Sequence, residues 1–138
     1  MSERRLRIAT AVLAVLGAAV TAYLVAARAS GATIACATGG CETVQSSRYA
    51  EIFGIPVAAL ALAGFVVLLA AAGLRGDRVR AAQATIALAA LVFSAYLLFV
   101  QLHLIGAVCQ WCLVADVLTT GLAATSVLRL RCGVRSSR

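Results

Sequence analysis

The sequence has no lysine, and it has one proline, one histidine and one tryptophan in 138 residues. Charged residues make up 12%, about half of the ~25% usual in a soluble domain. That shortage argues against an ordinary water-soluble domain and favours a membrane protein. All twelve basic residues are arginines, and most lie in short clusters between apolar runs. No basic stripe with interleaved aromatics is present, so the net charge of +7 does not describe a nucleic-acid surface. It describes membrane topology instead. The apolar runs lack the alternation of a membrane β-barrel. Arginine without lysine, together with abundant alanine, fits a GC-rich bacterial genome.

What the chain does have is four apolar runs, at about 8–28, 55–74, 81–104 and 107–128. Each is close to the roughly 20 residues that carry a helix across a bilayer, and helices satisfy their own backbone in lipid. Pro56 suits the first turn of the second helix, where a missing N–H costs little. Three arginine clusters lie in the segments before the first run, between the second and third, and after the fourth: Arg4, Arg5 and Arg7, then Arg75, Arg78 and Arg80, then Arg129, Arg131, Arg135 and Arg138. The positive-inside rule makes these segments cytoplasmic. The connector 29–54 sets Arg48 against Glu42 and Glu51, and the short third connector has no basic residue, so both face outward. The expected fold is therefore all-α: an integral membrane four-helix bundle in one domain, 1–138. Both termini are cytoplasmic, and a long outer loop, 29–54, joins helices 1 and 2. The first apolar run exceeds the ~7–15 residues of a signal-peptide core, so it is expected to stay as a span.

Cysteine placement follows the same map. Cys36 and Cys41 lie in the outer loop, Cys109 and Cys112 at the outer end of the fourth span, and Cys132 among the inner arginines. Four of five thiols thus face the side where disulfides persist. Cys109 and Cys112, at i and i+3, share a helix face. So short a loop restrains an unfolded chain little, and reversible chemistry suits the pair better. Unpaired N–H groups at a helix start favour a thiolate there. Cys36 and Cys41 flank "ATGG", a flexible segment open to an outside protein. Two other readings stay open: inert disulfides pinning the loops, and a four-thiolate zinc site on the spacing C-x4-C and C-x2-C.

Among the remaining residues, His103 is expected at the interface and Trp111 in an aromatic belt or at a pocket wall. Tyr49 and Phe53 are candidates to cap a pocket, whereas Tyr23 and Tyr96 are expected in packing or the belt. Gly17/Thr21 and Gly121/Thr125 have the small-xxx-small spacing of close helix contacts.

"CETVQSSRYAEIFGIPVAAL" followed by "CQWC" at the head of the fourth span resembles the vitamin K epoxide reductase (VKOR) family. The carriers are the loop pair Cys36 and Cys41, Ser47 six residues after the second cysteine, Phe53-Gly54, and Cys109 with Cys112. The resemblance implies a helical bundle around a quinone pocket open to the outer side. It implies that Cys109–Cys112 is the active-site disulfide beside the quinone, that Cys112 delivers electrons, and that Cys36 and Cys41 shuttle them inward with Cys41 attacking Cys109. Ser47 and Phe53 map onto the loop covering the pocket, with Ser47 a polar contact to a quinone carbonyl. The acceptor would be menaquinone, ubiquinone or vitamin K.

Some bacterial members carry a fused thioredoxin-like domain after a fifth span. The present sequence ends soon after the fourth, so the expected donor is a separate thioredoxin-fold (DsbA-like) protein outside the cell membrane. Asp116 lies one turn beyond Cys112 on the same face. Intramembrane acids usually face a bundle interior, and Asp116 is read either as a quinone-site proton donor or as an acid paired to Gln101 or His103. Two rival functions remain: reduction of a quinone epoxide by the same chemistry, and a non-catalytic membrane scaffold.

Overall fold

The computed structural model describes residues 1–138. The chain is almost entirely helical. Helix α1 spans Glu3–Ser30, the short α2 Cys41–Gln45, α3 Val57–Gly73, α4 Asp77–Phe99 and α5 Gln110–Ser136. Strands β1 (Glu51–Ile52) and β2 (Ile55–Pro56) form one small hairpin. Three helical stretches, Glu3–Ser30, Asp77–Ile105 and Gln110–Ser136, are long and apolar enough to cross a membrane. The protein is therefore a multi-pass membrane protein. Helix α3, with 17 residues, reaches about 26 Å at ~1.5 Å per residue.

Helix α1 packs against α3 and α5, and α4 packs against α5 and α3. The buried face of α1 runs Leu6, Thr10, Ala14, Gly17, Thr21, Leu24 and Ala27, one stripe at helical spacing. Its two threonines donate to the carbonyls of Leu6 and Gly17, each at 2.8 Å, so no hydroxyl is stranded in the stripe. Gly17 leaves room for the Phe65 ring, which a Cβ would meet at 2.2 Å. Gly121 lies similarly against Leu13. The small residues thus serve helix packing, as their spacing predicts. Helix α1 stops at Gly31, whose left-handed φ of 68° lets Ala32 N–H reach the Ala27 carbonyl at 3.0 Å.

The helices depart from the predicted spans in three places. Helix α3 begins at Val57, and Pro56, expected in its first turn, lies in strand β2 opposite Glu51. A π-helical turn, Val100–Ile105, ends the α4 stretch, closed by Gly106 at φ 70°. Helix α5 begins at Gln110 and runs well past 128, taking Arg129 with it. Arg129 is not a flanking arginine in water. It is fully buried and donates to Gln83 Oε1, while Gln83 Nε2 donates to the Leu68 carbonyl at 3.1 Å. Gln83 accepts from one guanidinium nitrogen, while Nε and Nη2 are buried without a partner.

Around Arg129 the arginine-rich end is tied by side chains. Arg80 forks onto Glu3 at 2.7 and 2.9 Å and also bonds Asp77 at 2.7 Å. Arg7 donates to the carbonyls of Ala72 and Gly73 at 3.1 and 3.2 Å, capping the end of α3.

Candidate redox site

The segment 29–54 at the opposite end is a built structure. Helix α2 starts at Cys41, a 3₁₀ turn covers Arg48–Ala50, and the hairpin turns at Phe53-Gly54. Phe53 and Gly54 have φ of 52° and 78°, the positive pair of a two-residue type I′ turn. Arg28, at the end of α1, donates to the Gln45 carbonyl at 2.6 Å and pairs with Glu51, anchoring α2 and the hairpin to the helices.

Cys36 and Cys41 form a disulfide with their Cα atoms 6.0 Å apart. Gly40 makes the position of this loop possible. A Cβ there would lie 2.5 Å from the Val108 carbonyl oxygen and 2.7 Å from the Val108 nitrogen. The glycine therefore brings the outer loop against the backbone just before Cys109. Cys41 and Cys109 are both 0% exposed and share one buried cluster with Leu24, Ala27, Ile34, Val44 and Ala58. Cys36 and Cys112 pack at the edge of that cluster and stay half-buried.

Cys109 is the N-cap of α5. Its Sγ accepts the Cys112 N–H at 3.3 Å, and its own N–H donates to Gln101 Oε1 at 3.0 Å. The π-turn holds Gln101 in place for this: its carbonyl accepts the Gly106 N–H at 3.0 Å while its side chain reaches Cys109. The sulfurs of Cys109 and Cys112 lie 2.7 Å apart, near enough to form the disulfide that the resemblance implies. Gln45 Nε2 donates to the Cys112 sulfur at 3.4 Å. Gln45 is four residues from Cys41 on α2, so one short helix carries both an outer cysteine and a contact to an inner one. Because Cys36 and Cys41 bond each other, this state offers no set of four thiolates to a metal ion.

Cys112 opens onto a cavity of about 220 Å³, lined mostly by apolar residues such as Leu24, Phe65 and Leu97. The polar groups in its wall include Gln45, Ser47, Tyr49, Ser94, Gln101 and Asp116. Ser47 donates to the Val44 carbonyl at 2.8 Å, which leaves its oxygen free to accept. Asp116 Oδ1 accepts from Ser94 Oγ, while Asp116 Oδ2 is buried with no partner. Asp116 pairs with neither Gln101 nor His103: Gln101 is committed to Cys109, and His103 is exposed and lies over Phe99 at 4.8 Å.

Two sequence expectations need correction. Phe53 does not cover the cavity. It is 101% exposed at the hairpin tip, because the turn geometry throws its side chain away from the helices. Trp111 is not in the cavity wall. Its Nε1 donates to the Ala35 carbonyl at 2.6 Å, and its ring meets Tyr23 edge-on at 5.3 Å. Cys132, twenty residues along α5 from Cys112, is about 30 Å away.

The family model described as the vitamin K epoxide reductase family matches residues 8–127. This chain belongs to that family. The match takes in the two outer and two inner cysteines, Ser47, Phe53 and Asp116, and it leaves Cys132 outside. Vitamin K epoxide reductase family membership carries a membrane redox function exercised through cysteines, and the family is one of oxidoreductases. Gln45, Gln110 and Gly40 lie inside the stretches that the motifs mark, yet the motifs give them no role. Only Gln45 had a usable cue, its helical spacing from Cys41.

Proposed function

We propose that this protein passes electrons from a thioredoxin-fold dithiol outside the membrane, through Cys36/Cys41 and then Cys109/Cys112, to a quinone. It would thereby support disulfide formation. The observation that carries the reading is the order of the four sulfurs. Cys36 is reachable from outside, Cys41 and Cys109 share a sealed cluster, and Cys112 lies on the cavity wall.

On this reading residues 1–138 are one domain spanning the cell membrane four times, with the arginine-rich end cytoplasmic. The donor's thiolate attacks Cys36, forms a mixed disulfide and releases Cys41 as a thiolate. The donor's second thiol then resolves the mixed disulfide, leaving the donor oxidised and Cys36 reduced. Cys41 attacks Cys109 of an inner disulfide, and Cys112 leaves as a thiolate toward the cavity. Attack of Cys36 on Cys41 re-forms the outer disulfide and leaves an inner dithiol.

The lining suits a flat ring with two carbonyl oxygens and an apolar tail: it is largely apolar, with a free Ser47 oxygen and the unpartnered Asp116 Oδ2. A bound quinone supplies an acceptor for two electrons and two protons. Cys112 supplies the reducing sulfur, and Gln45 donates to that sulfur as charge develops. Asp116, with Ser94 holding its other oxygen, carries a proton at the wall.

Anaerobic turnover of the purified protein with a reduced thioredoxin-fold donor and a panel of quinones and quinone epoxides tests the reading. One quinol should appear per donor disulfide formed, and Cys112→Ser should abolish it with an unchanged melting temperature. Wild-type turnover in Cys112→Ser would overturn the assignment.

A further inference from the structure

We propose that Gln110 and Trp111, the two residues between the inner cysteines, are positioning residues that clamp the outer disulfide in register for sulfur-to-sulfur transfer. The inference rests on the relay reading above. Trp111 Nε1 donates to the carbonyl of Ala35 at 2.6 Å, and Gln110 Oε1 accepts the N–H of Ala37 at 2.9 Å. Those are the residues immediately before and after Cys36. The grip on Ala35 is doubled by Tyr23, whose hydroxyl accepts the Ala35 N–H at 3.0 Å while its ring braces the indole. Thr38 Oγ1 donates to the Val108 carbonyl at 2.7 Å and lies 3.1 Å from Cys36 Sγ.

The stretch from Ala35 to Gly39 has no regular secondary structure, and Gly39 and Gly40 give it freedom. Its bonding partners therefore come from Tyr23 and from the head of α5. Because Gln110 and Trp111 share a single helical turn with Cys109 and Cys112, the clamp locates the loop relative to the inner sulfurs. The step it serves is exchange: the Cys41 thiolate bonds to Cys109 Sγ, the Cys109–Cys112 bond breaks, and the negative charge moves from Cys41 to Cys112 with no net electron gain. Holding attacker and target in line replaces a search by a loop with a fixed approach, and a ~1 Å misplacement can cost ~10²-fold.

The test uses the full chain in a Cys36→Ser/Cys112→Ser background, where Cys41 and Cys109 can join. Diamide oxidation, followed by gel shift, measures how fast that disulfide forms. Adding Gln110→Ala and Trp111→Phe should slow it roughly 10-fold or more, and Gln110→Glu, which keeps an acceptor oxygen, should recover part of the rate. In a Cys36→Ser/Cys41→Ser background, quinone reduction driven by dithiothreitol bypasses the loop. There the same clamp substitutions should leave the rate unchanged. Clamp variants that form the Cys41–Cys109 disulfide at the parent rate overturn the clamp and leave the relay standing. A parallel fall in the bypass assay also overturns it, since it would mark a general packing role. If no Cys41–Cys109 disulfide forms with Gln110 and Trp111 intact, the relay reading fails and takes the clamp with it.

Discussion

At the cysteine end, side chains grip loop backbone: Trp111 holds Ala35, Gln110 holds Ala37, Thr38 holds Val108 and Gln101 holds Cys109. At the arginine end, charged side chains grip other side chains or the last carbonyls of a helix: Arg80 with Glu3, Arg129 with Gln83, and Arg7 with Ala72 and Gly73. The first pattern fixes a flexible segment through single, mostly neutral hydrogen bonds that are individually modest. The second joins α1, α3, α4 and α5 through a network with a fully buried guanidinium at its centre. On the proposed relay, one end is built for segments that rearrange during exchange, and the other holds the helices together while that happens.

Three sets of substitutions bear on this contrast, from the largest expected effect downward. Gly40→Ala should strike hardest at the cysteine end. The added methyl meets backbone, not a flexible side chain, so the loop must retreat from Val108. Donor-driven quinone reduction should fall about 100-fold, whereas the melting temperature in detergent should barely move. A proportional loss of stability would erase the distinction between the two ends.

Gln83→Leu probes the arginine end. It leaves the buried Arg129 guanidinium without its acceptor and should cost about 2 kcal/mol of stability, by analogy with hydrogen bonds to charged groups. Turnover per folded molecule should be unchanged. Unfolding curves and specific activity, measured on the same preparation, separate the two quantities. The third set sharpens the boundary of the cavity itself. Asp116→Asn should slow quinone reduction about 10-fold, at the low end for loss of a proton-transfer group, while Cys41–Cys109 disulfide formation continues at the normal rate. Phe53→Ala should alter neither, because the side chain stands clear of the cavity.

The helices were legible because hydropathy acts over long windows, and each of the four apolar runs is indeed helical. The cysteine arrangement was legible for a different reason. Loop spacing and the C-x-x-C pair are local, and Gln110–Cys112 do start a helix. Arg129 was misread because its place outside the span was inferred from charge alone, and nothing in the sequence marks Gln83, forty-six residues away, as its partner. Gln101 was noticed as a polar residue near Asp116, but the π-turn that swings it toward Cys109 leaves no sequence signature. Trp111 fitted the statistics of belt tryptophans, and its bond to Ala35 depends on where a distant loop comes to rest. Phe53 followed its motif into the right hairpin, yet a turn residue with positive φ points where the turn sends it. What escaped the sequence was chiefly the partner of each single polar side chain, which tertiary geometry decides.

The burial of the four sulfurs has a further consequence for chemical selectivity. On the proposed relay the two terminal sulfurs, Cys36 and Cys112, are partly accessible, whereas Cys41 and Cys109 are sheathed in apolar packing. Peroxide, metal ions or stray low-molecular-weight thiols in the surrounding medium meet a terminal sulfur more readily than the junction. The packing acts as insulation around a splice. A short circuit, in which an adventitious oxidant drains electrons midway, is slowed by shape relative to reaction at either terminal.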